Sequence, residues 1–424
     1  MNRKHTYRIL FVIVAALLLG ACAQIFTTLE DLDFSPNPYD PATTDMPVQD
    51  LIDAGAITDP ELLAYAQQLV ADDPDLTRGE VQRISSGDFP NPDPVLSTLE
   101  DLRLFPNIDD LLLFGSELAD SGGTLRMGLE PLMDLRRLRY LELSSQNLTN
   151  AHMSLLDGSA WADLENLVLH DNNITDMGSL QALVEDIYAA RGNDRLGLRV
   201  DSNPIDPATF SSVSAYADKL WGLSAPGQSF TDLEWIPDPT EWGFLDISSN
   251  PNIADATGMQ HFVQMDNLYI WGTTAAVYNE AVTLPEMVYF NVGNLPPGTI
   301  DAQDIADAGW NELWSLGFSD DASLTDVSPI FALTSLGELS MNGLGITSVQ
   351  GISNLQNLEQ LELIDNTSLV TGVDDIANIA SGTLRTIKLT NIGLTDSDPQ
   401  VQAVIDAHPN AHIILPSGAE LNVP

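Results

Sequence analysis

Cysteine is almost absent: the 424 residues hold one, Cys22. No disulfide can close within the chain and no thiolate cluster can hold zinc, so stability has to come from apolar packing. Lysine is nearly as scarce, at Lys4, Lys219 and Lys388 only, and the basic residues number 16 against 61 acidic ones, a formal net charge of −45. A surface of that sign repels phosphate backbones and anionic headgroups, which argues against nucleic acid as a partner. Aspartate carries most of the excess, and two readings stand side by side: a chain kept soluble in salty surroundings, or a surface turned toward cations or basic partners. The local phrases of common catalytic chemistry are missing as well. His152, His170, His261, His408 and His412 show no HExxH spacing and no Ser/His/Asp context, and no glycine-rich phosphate loop stands in a supporting context. The stretch DDPDLTRGE (Asp72–Glu80) lacks the glycine and the terminal acid at the offsets a calcium loop requires and reads as a solvated turn. The expectation is a protein that is not an enzyme and uses no cofactor or metal.

Long apolar runs are lacking too. Ile9–Leu19, behind Arg3, Lys4 and Arg8, is the pattern of an export signal, and it falls short of the roughly 20 residues a spanning helix needs. It ends in Leu19-Gly20-Ala21-Cys22, which resembles the bacterial lipobox. That resemblance implies cleavage before Cys22 once its thiol carries a diacylglyceryl group. It further implies palmitate-type acylation and a mature lipoprotein anchored in the cell envelope. Ala23 in place of Asp implies the outer membrane or cell surface rather than the cytoplasmic membrane. Several acyl chains on one residue give durable anchoring where one is marginal. Residues 1–21 are then a signal peptide and 22–47, with Pro36, Pro38, Pro41 and Pro47, an extended tether. Residues 48–107 read as a helical cap, with helices over Val48–Asp53 and Pro60–Ala71; Asp59 and Pro60 supply a helix-start signal for the second.

What the rest of the chain has in abundance is internal repetition. Over residues 108–415, LTDVSPIFALTSLGELSM (Leu324–Met341) and ITSVQGISNLQNLEQLEL (Ile346–Leu363) align apolar on apolar at one offset. The core LxxLxLxxNxL is met at every defined position by LENLVLHDNNI (Leu164–Ile174). Taking its second leucine as a marker, equivalent positions are Leu111, Leu141, Leu167, Leu198, Leu245, Leu268, Phe290, Leu316, Leu339, Leu361, Ile387 and Ile413, most of them 22 to 31 residues apart. A degenerate coil at Leu220–Ser224 fills the one long gap and brings the count to about 13 strands. Residues 416–424 are left as a C-terminal tail. Asn172, Asn203, Asn250 and Asn366 hold the asparagine position of the core, whereas Leu295, Leu344 and Ile392 occupy it elsewhere and are expected to pack by apolar contact.

In these phrases the chain resembles the leucine-rich-repeat family, and specifically the bacterial 22-residue, internalin-like kind; LTDVSPIFALTSL (Leu324–Leu336) carries the likeness most closely. The resemblance covers about three-quarters of the chain. It implies an α/β solenoid, a right-handed superhelix or horseshoe with a parallel β-sheet on its concave face and a small N-terminal helical cap. It also implies a monomeric binding protein.

The third, fifth and seventh positions of each core point out of the sheet, because side chains alternate along a strand. They place Phe244, Tyr269, Trp271 and Tyr289 on neighbouring strands, with His170 and Arg199 on earlier ones. The aromatic group reads either as a hot spot for a protein or glycan partner or as rings packed on one another, and a slip of one residue would bury it. Arg136, Arg137 and Arg139, and Arg191, Arg195 and Arg199, are an anion site or ordinary ion-pair partners. A structural envelope scaffold without a discrete ligand is the alternative to a binding protein, with an enzyme as a distant third.

Overall fold

The computed structural model describes residues 47–53, five isolated positions between 67 and 99, and residues 109–422 apart from 114–116 and 239. The signal segment, Cys22, the tether and the turn at 72–80 lie outside the described residues, apart from an isolated bridge at Pro47 and Thr77, as does most of the region read as a cap. Within that region Val48–Asp53 is a helix, α1, closed by a Gln49 to Asp53 side-chain hydrogen bond of 2.7 Å. Gln67 and Val70 are helical as well, and Val70 is buried. Among the described residues no helix is long and apolar enough to cross a membrane.

The chain forms two compact units that meet at Leu220 and Trp221. The first contains β1 (Asp110–Leu112), β2 (Tyr140–Glu142), β3 (Asn166–Val168) and β4 (Leu196–Arg199). Where the second begins lies β5 (Leu220–Ser224), followed by β6 (Phe244–Asp246), β7 (Asn267–Tyr269), β8 (Tyr289–Gly293) and β9 (Ser315–Ser319). It continues with β10 (Glu338–Asn342), β11 (Gln360–Glu362), β12 (Thr386–Lys388), β13 (His412–Ile414) and β14 (Glu420–Leu421). In each unit strand order follows chain order, and pairing is parallel up to β13. Every marker residue read from the repeats sits opposite the next: Leu111 pairs with Leu141, Leu141 with Leu167 and Leu167 with Leu198. In the second unit Leu223, Leu245, Leu268, Phe290, Leu316, Leu339, Leu361, Ile387 and Ile413 do the same in turn. Leu223 confirms the coil that the sequence left degenerate. Strand, turn, short helix and return, in every repeat but the one between β5 and β6, where turns replace the helix, make this a leucine-rich-repeat solenoid of α/β type.

Two chemical devices hold each coil. Four residues after the marker the backbone enters the left-handed region, at Ser145, Asp171, Ser202, Ser249, Asp320, Asp365 and Asn391, and at Gly343 among the glycines. Small polar side chains and glycine tolerate that conformation. The turn lets the same residue's N–H reach the next coil, as Ser145 reaches His170 O at 3.1 Å and Gly343 reaches Ile364 O at 2.8 Å. One residue further on lies the ladder position. Asn172 accepts from the N–H groups of Gln146 and Leu148 and donates to the carbonyls of Leu143, Leu169 and His170. Asn203, Asn250 and Asn366 repeat this pattern.

The ladder is fuller than its asparagines. Gln146, Gln228, Thr273 and Asp321 occupy the same register and are buried. Gln146 donates to Leu113 O and Ser144 O and accepts from Leu118 N–H, while Thr273 donates to Ile270 O. Leu295, Leu344 and Ile392 are buried at that position, as expected of apolar substitutes. Behind the sheet, aspartates start the short helices: Asp157, Asp176, Asp206, Asp301 and Asp398 each accept the N–H of the second residue that follows. Part of the aspartate excess is therefore local architecture, a carboxylate at a helix start where its charge suits unpaired N–H groups. The inward residues are fully enclosed, for example Leu164, Leu167, Leu169 and Ile174 in one coil. No coil can bury these alone, which is why stacking is obligatory. The segment set apart as a tail instead turns back, and β14 pairs antiparallel with β13.

Candidate functional site

The outward row is in register. Phe244, Tyr269, Trp271 and Tyr289 are each half-buried, and the marker residues between them are buried, so no one-residue slip has occurred. Some of the rings also pack on one another or on a neighbouring indole. Phe244 lies 5.8 Å from Tyr269, and Trp221 meets Phe244 edge-on at 5.9 Å. Tyr289 meets Trp314 edge-on at 5.5 Å. Trp271, near the other end of its strand, lies against Gly293, where a Cβ would come within 2.9 Å of its ring.

Trp221 and Trp314 were missed in the sequence. They stand at the second position of the core, Trp221 inside β5 and Trp314 just before β9, where Arg139, Glu165, Glu359 and Arg385 stand in other coils and form cross-strand ion pairs. The signal available was an indole in a column of charges. Trp314 also dictates its neighbour: a Cβ on Gly337 would sit 2.2 Å from the indole nitrogen.

Beside Tyr269 and Tyr289 the sheet face sinks into a depression of about 290 Å³. Its geometry follows from side-chain size. Within it strand β9 offers Ser315 and Gly317, while Tyr289 and Asn291 rise on β8 and Glu338 and Ser340 on β10. With strands about 4.8 Å apart, the two walls are roughly 10 Å apart at backbone level. A Cβ at Gly317 would lie 2.5 Å from the Asn291 amide, so any larger residue there would displace that side chain and fill the floor. Gln360 donates to Glu338 at 2.7 Å, and Glu362 pairs with Lys388 at 2.6 Å. Burial, then the charge of Asp246, the neighbouring Tyr289 and Glu338, pushes the Tyr269 phenol above its ordinary pKa, so Tyr269 presents a hydroxyl at physiological pH.

His170 and Arg199 belong to the first unit. Arg199 forks onto Asp201, with Nη2 to Oδ2 at 3.1 Å, and His170 Nδ1 lies 3.8 Å from the same carboxylate. Beside them Tyr140 and Ser144 donate to Glu142 at 2.9 and 2.8 Å. Burial and the Glu142 charge push the Tyr140 phenol well up. Three of the other arginines named from the sequence also find acceptors: Arg139 on Glu165, Arg191 on Asp163 O and Arg195 on Asp218 O. His152, His261 and His408 are engaged with backbone groups, and His412 with Glu420. Among the described residues no three His, Cys, Asp or Glu side chains converge as a metal site would require.

A leucine-rich-repeat solenoid with a patterned outer sheet face is thus the class that the coils define. Among solved structures the chain is similar to an internalin (inlF) of Listeria monocytogenes, at 15% identity and a TM-score of 0.39, over 81% of this chain and 91% of that one. It is similar to a leucine-rich-repeat protein of Leptospira interrogans at 14% identity and a TM-score of 0.33, over 78% of this chain and 99% of that one. Internalin C2 of Listeria monocytogenes aligns at 21% identity and a TM-score of 0.31, over 54% of this chain and 82% of that one. No protein-family model matches the chain, and no curated protein does.

Proposed function

We propose that the chain is a lipid-anchored protein of the cell envelope that binds a protein or glycan partner through the outer face of its sheet and catalyses no reaction. The observation that carries the binding role is the half-buried aromatic group Phe244, Tyr269, Trp271 and Tyr289, held in register on adjacent strands outside the core. Rigid aromatics with a polar edge contribute most where a partner covers them. The export-signal pattern and Leu19-Gly20-Ala21-Cys22 support the anchor.

The test is capture of partners from extracellular material by the wild-type chain and by the Tyr269→Ala/Trp271→Ala variant. Capture is expected to fall with the variant while its unfolding midpoint stays near wild type. Capture that is equal for both, or absent from both, favours a spacing scaffold without a ligand; a variant that unfolds means that the rings are structural. For the anchor, labelling cells with an alkyne fatty acid is expected to tag the wild type and not Cys22→Ser. Equal tagging overturns it.

A further inference from the structure

Resting on that reading, we infer that the depression beside Tyr269 and Tyr289 is a pocket for an arginine side chain of a protein partner, with Glu338 as the acceptor of its guanidinium. Three observations converge on this. First, the two carboxylates of the pocket are not equivalent. Glu362 has Lys388 at 2.6 Å, whereas Glu338 has only the Gln360 amide and, among the described residues, no ion pair with Lys, Arg or His. Glu338 is half-buried, so its charge is less screened than that of a fully exposed acid. Second, the opposite wall is aromatic: Tyr289 lies directly across β9, and Tyr269 stands beside it. A guanidinium is planar, weakly hydrated and able to stack on a ring while forking onto a carboxylate, which an ammonium does less well.

Third, size and charge fit. A trough of about 290 Å³, floored by Ser315 and Gly317, takes one extended side chain rather than a bulky ligand. Asp246 adds a further negative charge close enough to act on Tyr269, and the chain as a whole carries −45. An anionic group, such as a phosphate or a uronic acid, would meet repulsion from every side. A neutral sugar could stack on the tyrosines but would leave Glu338 without the cation that its surroundings favour.

The experiment uses the full chain with fluorine-labelled tyrosine, the Tyr269 and Tyr289 resonances being assigned by Tyr→Phe variants. The probe is the peptide acetyl-Gly-Arg-Gly-amide at 150 mM salt, with the citrulline peptide of the same shape as its neutral counterpart. The arginine peptide is expected to shift both resonances saturably, the citrulline peptide to bind at least tenfold more weakly, and Glu338→Gln to reduce arginine binding by a similar factor. Glu338→Lys, which places a cation in the trough, should abolish it. Because Glu338→Gln removes one of 61 acids, diffuse attraction to the surface survives it. No shift, equal shifts by the two peptides, or undiminished binding to Glu338→Gln overturns the inference. So does a shift by chitotriose that the arginine peptide does not reproduce, which would make the pocket a glycan subsite. Partner capture that is lost in Tyr269→Ala/Trp271→Ala but retained in Glu338→Gln would refute the arginine pocket and leave the binding face standing.

Discussion

Replacing Asn172 with alanine tests what holds the coils together. The side chain is buried and makes five hydrogen bonds to backbone, two accepted from Gln146 and Leu148 N–H and three donated to carbonyls. The variant leaves two enclosed N–H groups without an acceptor, at about 1–3 kcal/mol each. The carbonyls suffer less, because each has a second lone pair. Allowing for partial rescue by water, the expected cost is about 3–5 kcal/mol. Thr273→Ala, at the same ladder position in another coil, loses one hydrogen bond, to Ile270 O, and should cost only about 0.5–1.5 kcal/mol. The assay is amide hydrogen exchange, which reports local opening coil by coil where one unfolding midpoint for a repeat array does not. At 1.4 kcal/mol per tenfold, the Gln146 and Leu148 amides of Asn172→Ala should exchange a hundredfold faster or more. A change under tenfold at both amides would mean that the ladder is decoration on a solenoid held by leucine alone.

Two other perturbations follow from the geometry. Burial raises the Asp375 carboxyl pKa, but hydrogen bonds from the Asn378 amide, Gly351 N–H, and Ser353 N–H and hydroxyl outweigh it and hold the group below its ordinary value. Its contribution is therefore complete above the ordinary carboxylate pKa of about 3.9 and fades as pH falls through the depressed folded value. Asp375→Asn should destabilise by about 1–2 kcal/mol at pH 7, and the gap in urea midpoint should narrow below pH 4; a gap independent of pH refutes the account. Gly337→Val should push the Trp314 indole off the sheet face, because even a Cβ would sit 2.2 Å from its nitrogen. Tryptophan emission should shift to the red with little change in far-ultraviolet circular dichroism, and an unchanged spectrum would place the ring elsewhere.

The solenoid was legible because its signal is redundant. A marker leucine, its inward partners and a small polar residue at the left-handed turn recur in coil after coil, so Leu223 could be inferred from rhythm even where its coil is degenerate. The ladder was read too narrowly. What the buried turn demands is a hydrogen-bonding group, which Gln146 and Thr273 meet as asparagine does, yet only asparagine was sought. The outward aromatics followed from alternation counted from the third core position, but Trp221 and Trp314 stand at the second, which was not counted among the outward positions. The depression was invisible for a different reason. It is made by what Ser315 and Gly317 do not fill, and a trough becomes apparent only when three strands are set side by side. His170 and Arg199 were singled out by their positions within their own repeats, and both lie in the first unit.

The short antiparallel pairing of β14 with Ile413 and Ile414 covers one side of β13. A parallel sheet made of identical steps offers, at its last step, a template on which another molecule's first step could seat itself, and repetition then becomes polymerisation. Two residues running the opposite way occupy that template with the wrong polarity. At β13 the repeating parallel step is thereby interrupted.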